Sequence, residues 1–144
     1  MKIVVAPIGK CKNPQISELA GIYYKRLKGY VSIEIIEVEE KNRDIKKQVA
    51  GLLGHRGHLI ILDSNGKMMD SRVFAQHLEN LISKYSRIVF MIGGAEGYPK
   101  WLLDMAGEKI SLSPMTFQHD IARLVLMEQL YRAFTIIRGE PYHK

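Results

Sequence analysis

The last third of the chain crowds side chains that can move protons, carry charge or stack around an otherwise apolar stretch: His119, Arg123, Glu128, Tyr131, Arg132, Tyr142 and His143. Chain ends ordinarily fray, so a tail reading Pro141-Tyr142-His143-Lys144 suggests a segment held against something. This is where an active site is expected. His119 and Arg123 stand at i and i+4 and share one helical face, while Glu128 and Arg132 share another on nearly the opposite side. Two plainer alternatives stay open: Glu128 with Arg132 fits an ordinary ion pair, and His119 fits a polar residue in a helix's first turn.

Three other places read as ligand-facing, all at the carboxyl ends of predicted strands, which is where open α/β sheets keep their crevice. One is Leu62-Asp63. The second is the turn Gly93-Gly94-Ala95-Glu96-Gly97, where residues without Cβ let backbone groups approach a ligand. It lacks the GxGxxG spacing of a dinucleotide site, and a tight strand-to-helix turn explains it equally well. The third is the loop through Pro114, where Ser111, Ser113 and Thr116 interleave with Leu112, Met115 and Phe117. Backbone amides beside apolar walls are what an adenine edge and its faces require, although a loop capping a core has the same letters.

Alternating strands and helices position these sites. Lys2 to Ile8 is a β-branched run stopped by Gly9, as in a strand buried on both faces. Pro14 to Lys28 spaces its apolar residues for a helical face. Ser32 to Val38 reads as a strand, Asp44 to Leu53 as a helix, and His58 to Leu62 as a third strand. Asp63 to Lys67 is a turn by composition. Ser71 caps a helix reaching Lys84. Arg87 to Ile92 is a strand, Pro99 opens a short helix through Met105, Lys109 to Ser113 is a fifth strand, and His119 to Ile137 is the final helix. The expectation is one α/β domain over residues 1–144, with a mainly parallel sheet flanked by helices. The final helix is apolar most of the way round, so it is expected to be buried on two sides, one of which a partner subunit could supply.

Composition narrows the setting. The 144 residues are 47% hydrophobic, sufficient for a core without disulfides or metals. Lysine and arginine exceed aspartate and glutamate by 21 − 15 = 6, which favours phosphate-rich partners, though it also fits a merely soluble basic protein. Cys11 is the only cysteine, which excludes an internal disulfide and any CxxC metal or redox motif and favours a reducing cytoplasm. The opening MKIVVAPIGK has too short an apolar run for a signal peptide, and no stretch approaches a membrane span. His55 and His58 lack partners at metal-ligand spacing, and no Ser-His-Asp order, P-loop or HExxH appears.

The run LSPMTFQHDIARLVLMEQLYRAFTIIRGEPYHK, with IGGAEG at residues 92–97 and the opening KIVVAPIGK, closely resembles the ribosomal RNA large-subunit methyltransferase H family over the whole chain. One departure is Gln118, where many members carry proline before the histidine. These are small SPOUT-class enzymes that methylate N3 of a pseudouridine in 23S ribosomal RNA on the assembled ribosome. The resemblance implies a C-terminal trefoil knot, an exception to the rule against knots, a homodimer with each site at the subunit interface, and S-adenosylmethionine as the methyl donor. By position it implies donor contacts at Leu62, Gly93, Leu112, Ser113, Pro114, Met115, Thr116 and Phe117. N3 of a uracil ring is a poor nucleophile until its proton leaves, so a base or a cation favouring the anion is needed. His143, His119 and Glu128 are candidates for the base. Arg123 and Arg132 suit stabilisation of the anion or of phosphates, and Tyr131 and Tyr142 suit stacking or hydrogen bonding to the base. The expectation singles out Tyr142 and His143 reaching across the dimer.

Three rival readings follow from the same residues. A non-catalytic RNA-binding protein would keep the fold and the charge but would have no reason to bind a methyl donor. A nicotinamide oxidoreductase is disfavoured by the missing GxGxxG and by the lack of an acidic residue at ribose-binding distance. A structural dimer explains the apolar helix but not the polar tail.

Overall fold

The computed structural model describes residues 1–41, 43–93 and 97–144. The elements are β1 (Lys2–Pro7), α1 (Pro14–Leu27), β2 (Ser32–Ile35), α2 (Ile45–Leu53), β3 (Gly57–Met68), α3 (Ser71–Lys84), β4 (Arg87–Ile92), α4 (Lys100–Met105), β5 (Glu108–Ser111) and α5 (His119–Ile137). The strands form one sheet in the order β2-β1-β4-β3-β5, and every pairing is parallel. The apolar runs of β1, β3 and β4 follow from this, because helices cover both faces. Ile3, Val5, Ile60, Ile88 and Phe90 point to the side of α1, α3 and α5, whereas Val4, Ala6, Leu59, Ile61, Val89 and Met91 point to that of α2 and α4.

Helix α5 packs between α1 and α3 against the sheet, burying Leu126, Met127, Leu130, Ala133 and Phe134. Much of its wide apolar sector is therefore met within the chain. The neighbouring helices make part of the second covering surface, because α5 returns from the β5 edge into the space between them, while Ile121 stays 42% exposed. Truncating Leu130 would cost about 2–5 kcal/mol through lost burial and a residual cavity.

Local chemistry differs from the sequence reading in three places. Asp70 caps α3, its Oδ1 accepting the Val73 N–H at 2.8 Å, and Ser71 is the first helical residue instead of the cap. Residues Asp63 to Lys67 are not a turn after the strand but an irregularity inside β3, for both Leu62 and Lys67 face Ile110 of β5. The Asx contact expected of a turn survives there, with Asp63 Oδ1 accepting the Asn65 N–H at 3.0 Å. Gly66 is required because a Cβ would lie 2.8 Å from the β5 backbone. Strand β5 also ends at Ser111, releasing Leu112 and Ser113 into the following loop. Gln118, at the N-cap of α5, has φ −63° and makes no side-chain cap bond, so its backbone already has proline's geometry.

Candidate active site

The irregularity inside β3 at Leu62-Asp63, where the sequence suggests a strand end, and the carboxyl ends of β4 and β5 open into one cavity of about 310 Å³. Leu62 with Asp63 forms one wall and Ile92 with Gly93 a second, while Leu112, Ser113, Met115, Thr116 and Phe117 form the third. The first turn of α5 closes the remaining side with His119 and Ala122. All the residues expected to contact a donor line this cavity except Pro114, which turns the loop without facing it. Of the glycine turn, Gly94, Ala95 and Glu96 lie outside the described residues; Gly93 and Gly97 both line the cavity.

Tyr98, which the sequence reading did not single out, holds two of these walls together. Its hydroxyl lies 2.5 Å from the Leu62 carbonyl, to which it donates, and 3.2 Å from that of Met91. Burial raises its pKa, so the phenol keeps its proton and remains a donor. Its ring also explains Gly93, where a Cβ would stand 3.0 Å from the Tyr98 ring carbon Cζ. The signal in the sequence was an aromatic residue directly after a glycine turn. In the third wall, Ser113 Oγ accepts the Met115 N–H at 3.0 Å, bending the loop so that Met115, 78% exposed, and Phe117 stand at the mouth. Such a set of apolar walls with the hydroxyls of Ser113 and Thr116 among them fits a ligand of nucleoside size. His119 is exposed at the rim, with no hydrogen-bond partner among the described residues.

The other candidates assemble elsewhere. Arg123 is 8% exposed, and its guanidinium donates to Glu37 Oε2 at 3.1 Å and to the Gly9 carbonyl at 3.2 Å. One turn earlier, buried Asp120 accepts the backbone N–H groups of Lys12 and Asn13 at 3.0 and 3.1 Å. These two residues fasten the β1–α1 loop to the start of α5. Asp120 and Glu37 escaped the sequence reading because their partners are remote in the chain and no local spacing marks them.

Toward the far end of α5, Arg132 donates to Glu128 Oε1 from Nη2 at 2.6 Å and from Nε at 2.9 Å. The tail folds back onto this pair: the Tyr142 hydroxyl donates to Glu128 Oε1 at 3.2 Å, and Arg132 Nη1 lies 3.0 Å from His143 Nδ1. Tyr142 also packs edge-on against Tyr131, with centroids 4.7 Å apart. Burial, with the Glu128 carboxylate adding, pushes the Tyr142 pKa up to about 12. Since a guanidinium only donates, His143 Nδ1 must accept, and the neutral imidazole carries its proton on Nε2. About 20 Å of helix separates His119 from Arg132, so one chain's tail and its own cavity occupy opposite ends of α5.

Among the described residues, no group of three or more histidine, cysteine, aspartate or glutamate side chains could hold a metal ion, and no helix is long and apolar enough to cross a membrane. Residues 1–143 match the model of the family described as predicted SPOUT methyltransferase. Curated relatives include ribosomal RNA large subunit methyltransferase H from Coprothermobacter proteolyticus, 41% identical over 145 residues, and from Acetivibrio thermocellus, 42% identical over 159 residues. Each alignment covers 100% of both chains. A solved structure, a probable methylase family protein from Haemophilus influenzae Rd KW20, superposes with a TM-score of 0.59 at 12% identity. It covers 99% of this chain and 70% of that one, a likeness of fold. With a cavity at the strand ends, a polar tail on the last helix and full-length relatives of one description, the chain belongs to the ribosomal RNA large subunit methyltransferase H family of SPOUT methyltransferases.

Proposed function

We propose that this protein transfers the methyl group of S-adenosylmethionine to N3 of a pseudouridine in 23S ribosomal RNA, working in the cytoplasm on the assembled ribosome as a homodimer of single-domain subunits. The observation that carries the reading is the convergence of the β3 irregularity and the ends of β4 and β5 on one cavity. Leu62, Gly93 and the loop from Leu112 to Phe117 would hold the donor, Pro114 setting the loop's course. The trefoil knot is part of this reading, supported by the path from the β5 edge through that loop into the space between α1 and α3.

Bound there, S-adenosylmethionine supplies a methyl on a sulfonium, and its in-line passage to nitrogen needs positioning more than covalent help. The residues of this chain then divide the remaining work. His119 faces the cavity, with neither ring nitrogen hydrogen-bonded among the described residues, and takes the N3 proton. Glu128 is committed, Oε1 to Arg132 and Tyr142 and Oε2 to Gln129 Nε2 at 3.2 Å, so it positions the tail. Arg123 is likewise committed to Glu37 and Gly9 and orients the loop beside the cavity. The partner's tail brings Tyr142 and His143 over the site, where an Nε2–H donor suits a ring carbonyl and favours the N3 anion. The dimer is supported by distance alone: a tail held at one end of α5 closes a cavity at the other only when it comes from a second copy.

Mass spectrometry of ribosomal RNA after incubation of ribosomes with the enzyme and isotopically labelled donor tests the reading. A label on one pseudouridine N3 is expected. A protein that binds no S-adenosylmethionine in calorimetry, or that leaves the RNA unlabelled, would contradict it.

A further inference from the structure

Among the described residues that line the cavity, Asp63 is the only acid, and no lysine or arginine joins it there. The side chain is half-buried and its segment is held from two directions. Asp63 Oδ1 accepts the Asn65 N–H at 3.0 Å, and the preceding carbonyl, that of Leu62, accepts the Tyr98 hydroxyl. The second carboxylate oxygen has no hydrogen-bond or ion-pair partner among the described residues. Its charge is felt at the cavity's inner wall: burial raises the pKa of the Tyr98 phenol, and the Asp63 carboxylate raises it further.

A fixed, unpaired carboxylate facing apolar walls and hydroxyls selects for a cation. S-adenosylmethionine is positively charged at sulfur, whereas the S-adenosylhomocysteine left after transfer is not, because the methyl departs without the bonding pair, which stays on sulfur. The two differ otherwise by that methyl alone. The chain's overall charge of +6 works against the cationic one, and a negative charge within the cavity reverses that bias locally. We infer that Asp63 is the residue by which the cavity prefers the cationic donor to its uncharged-sulfur product. It acts on binding and not on the chemical step, because a carboxylate favours the sulfonium at least as much in the ground state as in the transition state, where that charge is already leaving sulfur. The inference rests on the methyltransferase reading for the identity of the ligand; the choice of residue rests on the cavity wall.

The test is calorimetry of S-adenosylmethionine and of S-adenosylhomocysteine with the full-length protein and its Asp63→Asn variant, with urea unfolding of each to verify the fold. Asparagine keeps the oxygen that accepts the Asn65 N–H and removes only the charge. The variant is expected to bind S-adenosylmethionine about 10-fold more weakly, the order of one screened charge pair, with S-adenosylhomocysteine affinity within about threefold of normal. Asp63→Ser, which also keeps an oxygen acceptor, reads the same ratio should the asparagine variant fail to fold. In turnover, Asp63→Asn should raise KM for the donor and leave kcat unchanged or higher. Equal weakening of both ligands would overturn the inference by assigning Asp63 to a part they share, and no change in either would overturn it outright. A fall in kcat with KM unmoved would also overturn it, placing Asp63 in the chemical step. An unaltered protein that binds neither ligand would strike the methyltransferase reading and this assignment together, whereas binding of both at a ratio indifferent to Asp63 strikes the assignment alone.

Discussion

The contact of His143 Nδ1 with a donor-only guanidinium changes what the tail can do. The sequence marked His143 as a candidate base; the bond to Arg132 leaves it an N–H donor, while His119, without a hydrogen-bond partner among the described residues, faces the cavity. His119→Ala should therefore lower methyl transfer by about 10²-fold or more, in the range of general-base loss, with calorimetric donor affinity within about threefold of normal. For His143, glutamine offers an N–H donor but no base, so His143→Gln should retain far more turnover than His143→Ala. Equal loss in both variants would return the base role to His143, and near-normal turnover of His143→Ala would remove it from the mechanism. None of this was legible from residue types alone, because the pairing of a tail imidazole with a helical arginine depends on how the chain folds back.

Helix α5 has the cavity at its start and the tail's contacts at its far end. Its bounds were legible, since Gln118 and Arg138 flank a continuous apolar pattern. The irregular course of β3 was not: Asp63 to Lys67 has turn composition, and only the neighbouring β5 draws its far end back into the sheet. The same limit hid Asp120, which caps the loop amides of Lys12 and Asn13 from across the molecule. Asp120→Ala strands those two N–H groups and should cost about 1.5–3 kcal/mol in urea unfolding. Because that loop abuts the first turn of α5, activity should fall further than donor affinity. An unfolding midpoint equal to that of the unaltered protein would show that the cap contributes nothing.

At the scale of the whole molecule, the +6 charge and three shifted phenols set the solution behaviour. Tyr30, bonded to Glu140, is pushed up to about 12, as is Tyr142, and Tyr98 is raised by burial. A phenol whose pKa is higher folded than unfolded favours the native state below the unfolded value of about 10. That contribution is lost as pH climbs from about 10 toward 12. Stability in urea should thus be flat with respect to these groups near neutrality and decline above about pH 10, with part of the tyrosinate absorbance appearing late. All 7 tyrosines titrating together near 10 would contradict it. The α/β class and the strand-end cavity were legible, because apolar runs and permissive loops are local. The separation of tail from cavity was not, because it depends on the length of α5 and on where the chain turns back.

That separation makes the shared site the central claim, and subunit mixing tests it most directly. One variant would fill the cavity with Leu112→Trp, another would lack residues 141–144, and each alone should be inactive while still dimeric. Mixed in equal amounts and allowed to exchange, about half the dimers are mixed and each has one intact composite site, so about a quarter of normal methyl transfer should return. Exchange without any recovered activity, or normal activity from the tail-deleted chain alone, would contradict a site built from two subunits.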